Sequence, residues 1–507
     1  MRPPCSRITI RHNPTSADTF HRTACTSPTV NHSSTGCFTL RSTSVPTGSC
    51  AIRVTRTANS STTPAIASGS LTRCKVFITA VDSTSSFLAM IVYSFPMLID
   101  FADPQPWNVV RKRVEGLPLD TVILRYSSEI GVKSRRTRIV YERHLVRNAR
   151  RLLRREGLSY REIQWVFGRI YIKTQQALEA AQQLRRLFGL SSTSPAQETE
   201  SNLDAIVDTV VDFAKHALRE GESFAIRCTR TGDHSFTSID VQREAGRSVL
   251  DVFKRKVHVD LEEPDVEIEV EVREKRAFVF IGRLPAAGGN PLGVAAPLVA
   301  LVSGGIDSPV AAWLALRKGS RIYPLYFFVG SHWRKDSTVD AIVDVVRVLN
   351  EWALGEIRQL FLIPRDAFLK PILNKAPRPL TCVLCKRFMY RIASELANRL
   401  GAQGIVTGDI AGEQASQTIW NLAITTAAAL LPIHRPLLGL DKSEVVALAR
   451  AIGTLEISER VTAPCPATPP RPTTRAQEES IEQAENALPI ASIVSKALDR
   501  MVRIRLT

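Results

Sequence analysis

The 507-residue chain contains no uninterrupted apolar run of about eighteen residues, the length a helix needs to cross a bilayer, so no membrane span is expected. Ser86 to Phe101 comes nearest, but it is short and carries Pro96. Cysteine is scarce where the chain reads as folded. Five of the nine (Cys5, Cys25, Cys37, Cys50 and Cys74) fall in an atypical N-terminal segment, leaving Cys228, Cys382, Cys385 and Cys465. That is too few for a disulfide scaffold and fits a reducing compartment with a reactive or metal-binding cluster. Acids are scarce at the start as well: between residues 1 and 100 only Asp18, Asp82 and Asp100 oppose nine Lys and Arg. Two further absences concern chemistry. The glycine-rich stretch described below lacks the GK[ST] ending of a Walker loop, and no separate amidase stretch is visible.

What is present is mostly basic. Lys and Arg number 66 against 49 acids, a formal charge of +17, which points to a polyanionic partner, most often nucleic acid. Residues 121–160 hold eleven Lys and Arg and three acids, a net +8. Most are arginine (Arg135, Arg136, Arg138, Arg143, Arg147, Arg150, Arg151, Arg154 and Arg155), whose fork suits phosphate, so this stretch is expected to form an RNA-contacting face. A hydrophobic content of 44% is enough for two or three packed domains.

Residues 1–118 read as an extension without packed structure: rich in Ser and Thr, aperiodic, unable to bury enough apolar surface to offset ordering. A transit peptide has this composition; an over-long gene start with Met97 as the true first residue explains it more simply, and no function is assigned to it. Order is expected from Leu119. A strand at Thr121–Tyr126 leads into a helical stretch through Leu145, Leu152 and Leu153. Then come a strand at Trp165–Ile172, a helix at about Gln175–Phe188, a loop at Ser191–Gln197 and a helix at Asn202–Arg219. A strand at Ser223–Cys228, a helix at Ile239–Phe253 and strands at Val266–Val272 and Ala277–Ile281 complete an α/β module. Pro285–Gly293, rich in Pro and Gly, is a linker.

Beyond it, Leu298–Val302 is a short apolar run suited to a doubly buried parallel strand, and Pro309–Leu316 looks helical. Between them lies Ser303-Gly304-Gly305-Ile306-Asp307-Ser308. Two glycines let the backbone curl, two hydroxyls can donate, and the following helix N-terminus lets consecutive N–H groups converge on phosphate. In the PP-loops of ATP pyrophosphatases, which this stretch resembles, the residue matching Asp307 would be the Mg²⁺ partner, since a carboxylate beside a polyphosphate is repelled unless a metal sits between them. Cys382-Val-Leu-Cys385 precedes a helix expected from about Lys386, and a helix N-terminus with Lys386 and Arg387 nearby should make these sulfurs thiolate-like.

The motif SGG-x-DS resembles the PP-loop of ATP pyrophosphatases, which adenylate a substrate oxygen. The resemblance extends through ILRYSSEIGVKSRRTR from Ile123, RLFGLSSTSPA from Arg186, FAIRCTRTGDHSFTSIDVQREAG from Phe224 and DLEEPDVEIEVEVRE from Asp260. It continues with TGDIAGEQASQT from Thr407, RPLLGLDKSEVVALARAIGT from Arg435 and APCPATPPRPTTRA from Ala463. Over more than three quarters of its length the chain is similar to the tRNA 4-thiouridine synthases of the ThiI type, in the short form lacking a rhodanese domain.

That resemblance implies an α/β architecture: a ferredoxin-like domain at 119–190, a THUMP domain at 191–284, a linker at 285–293, a doubly wound parallel-sheet PP-loop domain at 294–480 and a helical tail at 481–507. It implies a cytoplasmic, homodimeric enzyme that adenylates uridine 8 of tRNA and exchanges O4 for sulfur, with some relatives also serving thiamine synthesis. Leu301, Val302, Ser303, Gly304, Gly305, Asp307, Ser308, Tyr326, Phe327, Arg387, Gly408 and Gln417 would hold ATP. Lys442 would neutralise charge near the adenylate. Lys133, Arg135, Arg136, Arg138, Arg227 and Arg230 would hold RNA. Relatives carry TGE-x-x-GQ where this chain has Asp409 and Glu413, which puts any direct role for those two positions in doubt. Cys382, Cys385 and Cys465 would either ligate an iron–sulfur cluster with one iron left open, the preferred reading, or form a persulfide carrier (Cys465) with its resolving partner. Sulfur would come from sulfide or a cysteine desulfurase. An amide-forming PP-loop ligase and a non-catalytic tRNA-binding protein are the alternatives.

Overall fold

The computed structural model describes residues 105–506 apart from 167, 331, 337 and 462–464, together with three strands nearer the N-terminus. Those strands, β1 (Cys37–Ser44), β2 (Cys50–Thr57) and β3 (Phe77–Ile78), form a small sheet in the order β2-β1-β3, with β1 antiparallel to β2 and parallel to β3. The expectation of no regular structure in the extension fails at these strands, where β-branched threonines suit an extended chain without any apolar periodicity. The rest of the extension up to residue 104 lies outside the described residues.

The main unit, Ser94–Thr507, is ordered before Leu119. Its first helix, α1 (Gln105–Val114), buries Trp107, Val110 and Val114, one face of a helix, and Arg113 grips Glu222 with two hydrogen bonds of 2.8 Å. The first large sheet follows from β4 (Thr121–Tyr126), α2 (Ser128–Gly131), α3 (Arg135–Arg155), β5 (Glu162–Val166), β6 (Arg169–Lys173), α4 (Ala177–Leu184) and β7 (Leu190–Glu200). It is completed by α5 (Leu203–Ala217), β8 (Ser223–Arg230), α6 (Ser238–Val252), β9 (His258–Val259), β10 (Val266–Val272), β11 (Arg276–Ile281) and β12 (Leu284–Pro285). The strand order is β5-β6-β4-β7-β11-β10-β8-β9, with β12 also on β7. Alternation decides the faces: Val122 and Leu124 join the large core under the helices, whereas Ile123 joins Tyr171, Ala196, Phe278 and Phe280 on the other side.

Two expectations are corrected here. The strand at Trp165–Ile172 is a hairpin, β5 and β6, turning where Gly168 takes a φ of +80° that other residues rarely adopt. The loop at Ser191–Gln197 is the middle of β7, paired with both β4 and β11. Its polar composition hides this because the hydroxyls are satisfied internally: Thr193 Oγ1 donates to Ala181 O and Ser194 Oγ to Gly282 O, each at 2.8 Å.

The second sheet is built from β13 (Ala295–Leu301), α7 (Asp307–Arg317), β14 (Ser320–Phe328), α8 (Val339–Trp352), β15 (Gln359–Pro364), α9 (Asp366–Lys375), α10 (Thr381–Leu400) and β16 (Ile405–Val406). After these come α11 (Ile419–Thr426), β17 (Ile433–His434), α12 (Lys442–Ile452), α13 (Leu455–Glu459), α14 (Glu478–Asn486), α15 (Ile490–Asp499) and β18 (Val502–Arg505). The order β17-β16-β13-β14-β15-β18 is parallel except for β18. Leu298 and Ala300 point into the core of α7, α8 and α12, and Val299 into that of α9, α10 and α15, so both faces are covered. The C-terminal segment is therefore no mere helical tail: Ile481, Ala484, Ile493 and Ala497 enter the core and β18 closes the sheet edge.

The two bodies are joined by an aromatic cluster. Phe188, just after α4, stacks on Trp352 at 5.8 Å and meets Trp313 edge-on at 5.5 Å, while the two indoles lie 5.5 Å apart. Around it Asn148 Nδ2 donates to Leu292 O, Ser127 Oγ to Gly289 O, and Arg186 pairs with Glu351. Gly289 is required here, since with its φ of +74° a Cβ would lie 2.1 Å from Arg317 O. Part of the expected RNA face is spent on this junction: Arg151 pairs with Glu356 and Arg155 donates to the Glu351 carbonyl. Replacing Phe188 with Ala should cost about 3–5 kcal/mol, as for other buried aromatics. Urea unfolding followed by indole fluorescence should then show the two bodies separating as distinct transitions, and a single transition at the wild-type midpoint would contradict this role.

Candidate active site

The chain leaves β13 at Leu301 and turns through Val302 to Ile306 into α7 at the carboxyl edge of the sheet, where ligands of doubly wound folds sit. The turn is held by its own serines. Ser303 N donates to Ser308 Oγ at 2.7 Å, the two hydroxyls lie 3.0 Å apart, and Gly305 N reaches Ser303 Oγ at 3.3 Å. α7 starts at Asp307, so the loop ends on a helix N-terminus with Pro309 in its first turn. Gly408, just beyond β16, lies against this start. A Cβ on it would come within 2.6 Å of Ser308 N and 2.7 Å of Ser308 Cα, so only glycine permits the approach.

Lys442 opens α12, capped by the Asp441–Glu444 box, and a cation there faces an unfavourable dipole. Its ammonium is instead claimed by two carboxylates, Asp307 Oδ1 at 2.7 Å and Glu413 Oε1 at 2.6 Å. Burial pulls the ammonium down, but those hydrogen bonds and charges outweigh it and hold it above the ordinary lysine value. Burial raises Asp307, partly offset by Lys442. Glu413 thus joins the cleft. Asp409 is buried beneath it, bound to Lys386 at 2.6 Å, Tyr390 at 2.9 Å and Arg435 at 3.1 Å. Burial alone would raise Asp409, yet Lys386 and these hydrogen bonds keep it below the carboxylate range.

The cysteine pair lies inside α10, which starts at Thr381 rather than near Lys386, and the expected thiolate character is corrected. Burial raises Cys382 and pushes Cys385 up to about 12, against the pull of Lys386 and Arg365. Cys465, exposed in the loop after α13, accepts a hydrogen bond from Arg365 Nη1 at 3.2 Å and stands near enough to act electrostatically on both other thiols. No three His, Cys, Asp or Glu side chains among the described residues stand at metal-ligating distance.

Other expected nucleotide residues are placed differently. Arg387 is buried and forks onto Glu485 through two 2.8 Å hydrogen bonds, joined by Arg391; burial pushes Glu485 up, but the two guanidiniums hold it at about 2. The rings of Tyr326 and Phe327 are core on opposite faces, Tyr326 donating to Asp336 at 2.9 Å and Phe327 edge-on to Phe368. Gln417 is buried with its Oε1 unpartnered.

The expected RNA residues fall into two groups. Lys133, Arg135, Arg136 and Arg138 follow β4, with Lys133 over the Tyr141 ring at 4.9 Å. Arg227 and Arg230 lie on β8, engaged with Glu267 and Gly232 O. Because β4 and β8 run in opposite directions, their carboxyl ends sit at opposite edges of the sheet. Sequence reasoning passed over Arg365 and Glu485 and left a role for Glu413 in doubt. Of these Arg365 carried a signal, as the residue following the apolar run of β15 at the ligand-bearing edge.

Comparison with known proteins follows the same order of parts. Models described as ThiI ferredoxin-like domain, THUMP domain and thiamine biosynthesis protein (ThiI) match residues 121–194, 200–282 and 293–490. A protein of Methanosarcina acetivorans named probable tRNA sulfurtransferase is 38% identical over 410 residues, covering 80% of this chain and 98% of its own. One of Thermococcus kodakarensis with the same name is 36% identical, covering 73% and 97%. The crystal structure of a 4-thiouridine synthetase with RNA and bound ATP matches with a TM-score of 0.68 at 29% identity, covering 77% of this chain and all of that one. Gly408→Ala should leave thermal unfolding within a few degrees of wild type yet weaken adenine-nucleotide binding by about tenfold or more, as overpacking against a fixed backbone displaces the loop. Calorimetric titration with an ATP analogue checks this, and unchanged affinity would show the contact to be unimportant.

Proposed function

The chain belongs to the ThiI family of tRNA sulfurtransferases, and from that premise we propose that it spends ATP to adenylate uridine 8 of tRNA and replaces O4 with sulfur, giving 4-thiouridine. The observation that carries the reading is the Ser303–Ser308 loop, backed by Gly408 and facing Lys442, at one edge with three thiols. Loop N–H groups and the helix N-terminus bind the pyrophosphate. Lys442, released from Asp307 and Glu413 as the nucleotide arrives, neutralises charge when uridine O4 attacks the α-phosphate and pyrophosphate departs. Gln417 Oε1 is an unspent acceptor suited to an adenine amino group, while the Arg387–Glu485 pair supports the site from behind.

Two carboxylates converging on one cation, Asp307 and Glu413 on Lys442, form a donor set that suits Mg²⁺. Bound there, Mg²⁺ would screen the triphosphate. The soft thiols Cys382, Cys385 and Cys465 suit an iron–sulfur cluster by their chemistry, although the three do not stand at ligating distance from one another among the described residues; such a cluster would supply an iron open to sulfide. In either donor scheme sulfur adds to C4 and AMP leaves with the old oxygen. With sulfide no electrons change hands. With a Cys465 persulfide, Cys382 or Cys385 cleaves the mixed disulfide and an external dithiol reduces the protein disulfide that remains.

tRNA lies along Lys133–Arg138 and the β8 arginines. The phosphate loop lies at the carboxyl end of β13 and the linker enters at its other end. The protein acts as a homodimer in the cytoplasm. Among the described residues no helix is long and apolar enough to cross a membrane.

Asp307→Ala should abolish tRNA-dependent pyrophosphate release while tRNA affinity stays within about twofold. Wild-type ATP turnover indifferent to tRNA, with no thiolated base formed from sulfide, would sink the reading. Anaerobic purification should yield iron and acid-labile sulfide that Cys382→Ala lacks; a colourless, iron-free and fully active wild type removes the cluster and leaves the persulfide route.

A further inference from the structure

Arg365 stands at the same carboxyl edge, between the end of β15 and the start of α9. Nη1 donates to Cys465 Sγ at 3.2 Å, although a hundred residues separate the two, and Nη2 reaches Phe327 O at 3.4 Å. Nε is buried and has no hydrogen-bond partner. Among the described residues no carboxylate pairs with it, whereas Arg387 and Lys442 each hold one or two. Its charge also acts on Cys382 and Cys385, opposing the burial that raises both thiols. A single guanidinium therefore holds Cys465 and acts electrostatically on the other two thiols, with one donor unspent and no paired carboxylate among the described residues. A half-buried cation left so is costly unless an anion arrives.

We propose that Arg365 is the positioning residue of the sulfur step, holding Cys465 over the Cys382–Cys385 pair and keeping its Nε–H for the anionic sulfur delivered there. The proposal rests on the sulfurtransferase reading. Sulfide and the terminal sulfur of a Cys465 persulfide are the same ligand to this guanidinium: soft, anionic and able to accept an N–H. Lys in its place would keep the charge but lose the fork that spans Sγ and the carbonyl together.

The test uses the full chain as wild type, R365Q and R365K. With tRNA absent, diamide takes two electrons and two protons from a thiol pair, and peptide mass spectrometry reads the disulfide joining Cys465 to Cys382 or Cys385. R365Q should form it about tenfold more slowly, the worth of one charge-assisted hydrogen bond, and R365K should recover part of the loss. In a single turnover, with enzyme in excess over tRNA, R365Q should lower the rate of thiolation by a similar factor while the rate of pyrophosphate release, which precedes the sulfur step, changes by less than about twofold. A loss confined to sulfide-supplied turnover identifies sulfide as the anion, and one confined to desulfurase-supplied turnover identifies the persulfide. The proposal is overturned if wild type freed of iron forms no Cys465 disulfide, if R365Q forms it at the wild-type rate, or if pyrophosphate release and thiolation fall together in a single turnover as they would for simple misfolding. Wild type that releases no pyrophosphate in response to tRNA would defeat the sulfurtransferase reading instead, and the tRNA-free disulfide assay would still judge the contact.

Discussion

A backbone-to-backbone approach governs the catalytic edge: Gly408 lies against the first residues of α7, so the phosphate loop and the segment after β16 act as one wall. Because that wall is main chain, its donors are fixed before any ligand arrives, which is what electrostatic preorganisation requires. Asp409, next along, buries its carboxylate among Lys386, Tyr390 and Arg435 and so ties the cysteine-bearing helix to the same wall.

The cleft divides into two electrostatic halves. On one side Lys442 is satisfied by Asp307 and Glu413, a closed arrangement that a triphosphate must open. On the other Arg365 holds Cys465 Sγ and the Phe327 carbonyl, with no paired carboxylate among the described residues.

The RNA-binding body and the catalytic body are coupled by packing more than by charge. Phe188, Trp313 and Trp352 form a dry aromatic contact, and the surrounding ion pairs at Arg151 and Arg186 lie at the solvent margin, where such pairs contribute little. Part of the basic charge on α3 is thereby consumed in architecture.

Local chemistry made several features legible from the chain alone. β4 and β10 have the bounds that their apolar residues imply, and the SGGIDS turn lies between a strand and a helix as its glycines and the following Pro309 imply. Features that depend on partners far along the chain were not legible. β7 reads as a polar loop until its hydroxyls meet Ala181 O and Gly282 O. The cysteine pair reads as thiolate-like until burial in α10 is known. That Arg387 is buried on Glu485, ninety-eight residues on, could not be read from its neighbours in the chain. Sequence alone determined the chemistry carried by each segment, since that is written in neighbouring residues. Only the tertiary structure decided which charges meet and which stay unpaired, because desolvation and ion pairing are set by what packs across the fold.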